Sequence, residues 1–119
     1  MPGKGVPLIE GSLRRQLLEV TLAEAPREAV GIIWQDRVYT LPNTSQYHEN
    51  QFAVNLGDLR NLIDELKIPW EQLHGEVYFW HSHPSGGVGP SRFDATHKTP
   101  MRNHLVVSLV DGDIVPTWY

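Results

Sequence analysis

Hydrophobic positions along this chain change period several times, and each change marks an element. From Ser12 to about Ala25, Leu13, Leu17 and Val20 fall on one stripe with Leu18, Leu22 and Ala25 flanking it, which predicts a helix capped by Ser12 and stopped by Pro26. Ala29 to Trp34 and Val38 to Leu41 then read as a β-hairpin across Gln35-Asp36-Arg37. Pro42 to Gln51 is polar and rich in turn formers and predicts an exposed loop, followed by a short strand at Phe52 to Val54. Asn55 is a suitable N-cap for a second helix built on Leu59, Leu62, Ile63 and Leu66 and ending before Pro69. A strand from Gly75 to Trp80 follows, and at the end of the sequence His104–Val110 and Ile114–Tyr119 flank Asp111-Gly112-Asp113, a hairpin signal. Strands interrupted by two helices predict an α+β fold, a mixed sheet with helices packed against it in layers.

Composition narrows the function classes. At 119 residues the chain is expected to be one domain, 1–119, with residues 1–8 flexible and no room for a second catalytic domain. Hydrophobic residues make up 40% and charged residues 20%, ordinary for a globular protein. A net charge of −4 without a basic stripe argues against a nucleic-acid binder. With no apolar run of about eighteen residues and no signal-peptide pattern, no membrane partner is expected and a cytoplasmic location is. There is no cysteine, so disulfides, thiolate metal sites and a cysteine nucleophile are excluded.

Candidate chemistry is concentrated in His81-Ser82-His83-Pro84 and, after six residues, Ser91-Arg92-Phe93-Asp94. His81 and His83 continue the strand run Val77-Tyr78-Phe79-Trp80, and residues two apart on a strand point to the same side, so both rings can reach one ion. Pro84 holds His83 extended, and the following Ser85-Gly86-Gly87-Val88-Gly89-Pro90 reads as a loop whose glycines ease the close passage of a substrate chain. Ser91 opens a helical turn, on which Ser91 and Asp94 share one face. His48, His74, His97 and His104 have no partner at ligand spacing and are read as lying outside the site. Trp34, Trp70, Trp80 and Trp118 are read as core or rim aromatics, and Asp58, Asp64 and Glu65 as an exposed helix face.

These residues resemble the JAMM (MPN+) metallopeptidases. Their pattern is a glutamate followed three residues later by glycine, here Glu28-Ala29-Val30-Gly31, then His-x-His-Pro, six residues and Ser-x-x-Asp. Every position is occupied in this chain. The resemblance implies the JAMM fold, a cytidine-deaminase-like three-layer arrangement, with one zinc ion bound by His81, His83, Asp94 and a water, Glu28 as general base, and Ser91 hydrogen-bonding the oxyanion. Three protein ligands leave zinc one open position, where the ion lowers the pKa of water to about 7. The implied activity is zinc-dependent hydrolysis of an amide by a peptidase or isopeptidase. His81 follows Glu28 by 53 positions, which leaves little room for the insertions that grip ubiquitin in eukaryotic members. The expected partner is therefore a flexible protein or peptide tail, that of a ubiquitin-like protein or of a phage tail-assembly substrate, acted on by a compact bacterial or phage enzyme. Two rivals remain: the RadC family, linked to DNA repair, which shares His83-Pro84-Ser85-Gly86 and Pro90-Ser91-x-x-Asp94 but usually has Asn in place of Ser82, and non-catalytic MPN scaffolds, which lack the ligands.

Overall fold

The computed structural model describes residues 6–47, 49, 51–91, 94 and 103–119. The expected flexibility of residues 1–8 falls largely, and the interior of the turn after Ser91 falls wholly, outside that set. In chain order the elements are α1 (Gly11–Glu24), β1 (Val30–Trp34), β2 (Arg37–Leu41), α2 (Leu56–Leu66), a 3₁₀ turn (Trp70–Gln72), β3 (Val77–His83), β4 (His104–Val110) and β5 (Asp113–Trp118). The strands form one mixed sheet in the order β2-β1-β3-β4-β5. Only β3 and β4 run parallel, and every other neighbouring pair is antiparallel. The expected α+β architecture is thus present.

Both hairpins close through two residues rather than three. Gln35 and Asp36 have φ of 52° and 60°, and Asp111 and Gly112 have 53° and 79°, the left-handed pairs whose twist matches that of the strands they join. Arg37 and Asp113 are thereby freed to start β2 and β5. Pro116 lies in β5, at the sheet edge where a missing N–H is tolerated.

Side chains of successive strand residues divide the core into two halves. Ala29, Ile33, Trp80, Leu105, Val107 and Ile114 face α1, which contributes Leu13 and Leu17. Val30, Ile32, Val77 and Phe79 face the other way and meet Leu41, Phe52 and Ile68, with Leu59, Leu62, Ile63 and Leu66 of α2 packed against them. Three expectations need correction here. Helix α1 begins at Gly11 with Glu10 as its N-cap residue, and Ser12 Oγ instead accepts Gln16 Nε2 at 3.3 Å. Its fully buried stripe is Leu13, Leu17 and Thr21, spaced by four, while Val20 is half-buried and Leu22 exposed.

Phe52–Val54 is not a strand, because the polar groups of Ala53 are taken by a neighbouring loop. Its N–H donates to Asn43 Oδ1 at 3.1 Å, and its carbonyl accepts Thr44 N at 3.0 Å. The third correction concerns the start of β3, which begins at Val77 rather than Gly75; it runs on through both histidines to His83, as their reading as a continuation of the strand implied. Gly31 explains the glycine of the Glu-x-x-Gly pair. A Cβ there would lie 1.8 Å from the Tyr39 carbonyl oxygen of β2, so only glycine lets the two strands close.

Candidate metal centre

The two histidines are held from both sides of β3. His81 pairs with Val30 of β1 and Val106 of β4, and His83 pairs with Ser108 of β4, so both rings project from the interior of the sheet onto its α2 face. Asp94 is brought to them by a reciprocal capping pair. Ser91 N donates to Asp94 Oδ2 at 2.8 Å, and Asp94 N donates to Ser91 Oγ at 3.1 Å. Asp94 Oδ2 then lies 3.1 Å from His81 Nε2 and 2.9 Å from His83 Nε2, and the two Nε2 atoms are 3.2 Å apart. Ligand atoms 2.0–2.1 Å from a tetrahedral zinc are about 3.3–3.4 Å from one another. The observed triangle is one face of such a tetrahedron, slightly contracted.

Glu28 completes the group from the residues just before β1. Its Oε2 is 3.9 Å from His83 Nε2, and the ligand atoms of Glu28, His81, His83 and Asp94 all fall within 4.8 Å of one another. All four residues are buried. The group has the donor set and spacing to hold a metal ion, with Glu28 at its margin.

Each ring is oriented differently. His83 Nδ1 lies 3.0 Å from the Gly87 carbonyl oxygen, which also accepts Ser108 Oγ at 2.7 Å. A carbonyl can only accept, so Nδ1 carries the proton and the lone pair of the neutral ring is on Nε2, facing the other ligands. His81 Nδ1 has no hydrogen-bond partner among the described residues. Its ring is set by packing, with Phe52 stacked on it at 4.4 Å between centroids and Tyr119 edge-on at 6.2 Å.

Charges follow from burial and these contacts. Burial pushes the Glu28 carboxyl up to about 7, against the pull of His83 and with that of Asp94. Burial also opposes the charge on Asp94, but the imidazoles of His81 and His83 beside it and the hydrogen bond from Ser91 N hold its carboxyl far below the usual range. Burial lowers His81. For His83 the same burial is outweighed by Asp94, the Gly87 carbonyl and Glu28, and its pKa rises. A cationic partner is what this electron-rich set calls for. Asp94 is a permanent anion, two imidazole nitrogens converge on it, and Glu28 Oε1 is buried without a hydrogen-bond partner among the described residues. The residues therefore fit a bound divalent metal.

The group opens to the surface through a cleft of about 270 Å³, lined among others by Glu28, His83, Gly87, Gly89, Ser91 and Glu49. Gly86 and Gly89 have φ of 91° and 79°, and a Cβ on Gly87 or Gly89 would meet nothing within 4 Å. There is thus open space beside both glycines. Ser91 Oγ accepts from Asp94 N and keeps its own O–H to donate.

Outside the group, His74 is exposed and His104 is buried on β4, its ring 5.7 Å from Phe79 and 5.5 Å from Tyr119. Neither belongs to the four-residue cluster, and His48 and His97 lie outside the described residues. Trp80 adjoins His81 in sequence but faces α1 and is fully buried. Trp70 departs from the core-or-rim expectation and is largely exposed.

Three contributors escaped the sequence reading. Ser82, between the ligands, points to the α1 face, where its Oγ accepts Ala29 N at 2.8 Å and its N–H donates to the Ala29 carbonyl at 2.9 Å. Strand alternation alone places Ser82 away from the metal, but its link to the residue after Glu28 needs the β1–β3 pairing. Ser108 and Phe52, remote in sequence from the ligands, carried no signal at all.

A mixed five-stranded sheet with helices on both faces and a buried Glu/His/His/Asp group beside a glycine-rich loop together describe a JAB/MPN-type domain with the means to bind a metal. Prokaryotic homologs of the JAB domain form the family that matches residues 10–118, and the chain belongs to it. No curated protein matches the chain. Among the described residues no helix is long and apolar enough to cross a membrane.

Proposed function

We propose that the protein is a zinc-dependent metallopeptidase or isopeptidase that hydrolyses an amide bond in a flexible polypeptide tail. The observation that carries the proposal is the convergence of Glu28 with His81, His83 and Asp94 within 4.8 Å, beside a cleft that Glu28 and His83 line. His81, His83 and Asp94 would hold one zinc ion, which when bound supplies Lewis-acid polarisation of the amide and activation of a water. The residues of the chain account for the proton traffic and the positioning. Glu28, with its carboxyl pushed up to about 7, suits a group that takes a proton and then gives it to the leaving amine near neutral pH. Ser91, whose hydroxyl still has its hydrogen to donate, would stabilise the developing oxyanion, a contribution worth about 10²–10³ in rate in comparable sites.

The glycine-rich wall of the cleft is what supports the proposed substrate class. A glycine-rich wall with nothing within 4 Å of the Cβ positions of Gly87 and Gly89 accommodates a narrow extended chain, in the way that peptides lie along exposed backbone. The C-terminus of a ubiquitin-like protein and a linker in a phage assembly protein have that form. The net charge of −4 weighs against a nucleic-acid backbone as the substrate. The test is to incubate zinc-loaded protein with Gly-Gly-ended ubiquitin-like fusions, with phage tail proteins and with branched DNA. Zinc-dependent cleavage of a polypeptide is the expected result. Cleavage of DNA with every polypeptide untouched would favour the DNA-repair reading, and a chain that holds no zinc and cuts nothing would favour a scaffold.

A further inference from the structure

We infer that Asn43 is a positioning residue that ties the backbone of Glu28 to the loop forming the far side of the site. Its side-chain Nδ2 donates to the Glu28 carbonyl at 2.9 Å and to the Gln51 carbonyl at 3.0 Å. Its Oδ1 accepts Ser45 N and Ala53 N, each at 3.1 Å. Carbonyls can only accept and backbone N–H groups only donate, so the orientation of the amide is fixed by its surroundings and both of its ends are in use. No other side chain of this size offers two donors and two acceptors in one plane.

The peptide unit between Glu28 and Ala29 is gripped at both of its polar groups. Asn43 holds its carbonyl, and Ser82 Oγ, on β3 between the two histidines, holds its N–H at 2.8 Å. The base is thereby referenced to the ligand strand on one side and to the loop on the other. That loop carries Phe52, which stacks on His81, and Glu49, which lines the cleft. One amide thus sets the position of Glu28, the packing of a ligand ring and one wall of the cleft. A displacement of about 1 Å in such a supporting contact can cost about 10²-fold in rate.

Two substitutions separate these roles. N43D keeps the acceptor that holds Ser45 and Ala53 but replaces the donor with an oxygen facing two carbonyls; N43A removes both ends. Resonances of zinc-loaded protein report the geometry directly. In N43D the Ala29 amide should shift, because the carbonyl of its peptide loses a donor, while the Ser45 and Ala53 amides stay protected from exchange. In N43A those two amides should lose protection, and the His81 ring protons should move downfield as Phe52 leaves them, with His83 unmoved.

Turnover, which rests on the hydrolytic reading above, should split in the same way. N43D is expected to lower kcat by about 10–100-fold with KM within about threefold, and N43A to change both. An Ala29 amide that does not move in N43D, or a kcat there within about threefold of wild type, overturns the link to Glu28. Unchanged His81 protons in folded N43A overturn the link to the ligand ring. If N43A does not fold, the Ala29, Ser45 and Ala53 amides of N43D decide alone. If wild type cuts no substrate, the hydrolytic reading fails by itself and the resonances still test Asn43.

Discussion

Glu28 Oε2 stands 3.9 Å from His83 Nε2, farther than the 2.9–3.2 Å that separate the ligand atoms of His81, His83 and Asp94 from one another. It flanks the ligand triangle without belonging to it. The proposed division is that the three close residues would hold a metal and Glu28 would move a proton. E28Q keeps the size of the side chain and removes its ability to accept that proton. It should retain a full complement of zinc while single-turnover cleavage falls by at least about 10²-fold. Loss of zinc in E28Q, or cleavage within about threefold of wild type, would show that the division is wrong.

The same substitution should have a stability signature. Burial raises the Glu28 carboxyl from its ordinary 4.5 to about 7, so its protonated form is the one the fold favours. Its contribution is fully present below about pH 4.5 and is lost as pH climbs through about 7. Metal-free E28Q should therefore melt above metal-free wild type, with an advantage that is largest at pH 8 and shrinks at pH 5. An advantage equal at the two pH values would mean that the carboxyl is not held in an unfavourable charge state.

Gly31 is expected to be a structural member of the Glu-x-x-Gly pair and nothing more. G31A would place a methyl group 1.8 Å from the Tyr39 carbonyl, an overlap with backbone that cannot be relieved by a side-chain rotation. The strands β1 and β2 would have to separate, at a cost of about 1–3 kcal/mol or more. Denaturant melts of the two proteins measure it. A G31A variant as stable as wild type would remove the packing explanation for this glycine.

The hydroxyl of Ser108, the residue of β4 paired with His83, should matter to zinc. It shares the Gly87 carbonyl with His83 Nδ1, at 2.7 Å and 3.0 Å, and so fixes the acceptor that orients the ring. Partners of this kind typically change metal affinity by about 10–100-fold. S108A should weaken zinc by about tenfold in a competition titration against a chelator, with the fold intact. Unaltered affinity would show that Pro84 and the loop hold Gly87 without help.

Much of this was legible in the chain, and the failures have physical causes. Asn55 caps α2 as its position before an apolar period implies, with its Oδ1 accepting Gly57 N at 2.8 Å and Asp58 N at 3.2 Å. His-x-His-Pro and Ser-x-x-Asp marked three members of the buried cluster because each set is local, on one strand and one turn. His81 and His83 read as continuing the strand before Pro84, and pairing with β1 as far as His81 and with β4 as far as His83 carries it there. Phe52–Val54 has strand composition, but Asn43 and Thr44 take the polar groups of Ala53, so side-chain bonding replaced a ladder. Ser82, Ser108 and Asn43 act through contacts that only the sheet order creates, and no spacing rule within one segment could point to them.

The account depends most on one ion seated between His81, His83 and Asp94. Elemental analysis of protein purified without added metal, repeated after dialysis against zinc, tests it directly. Wild type should hold close to one zinc per chain, and H81A, H83A and D94A should each lose most of it while remaining folded by circular dichroism. Wild type holding less than about 0.3 zinc per chain after zinc is supplied, or alanine variants that bind as much as wild type, would contradict the account.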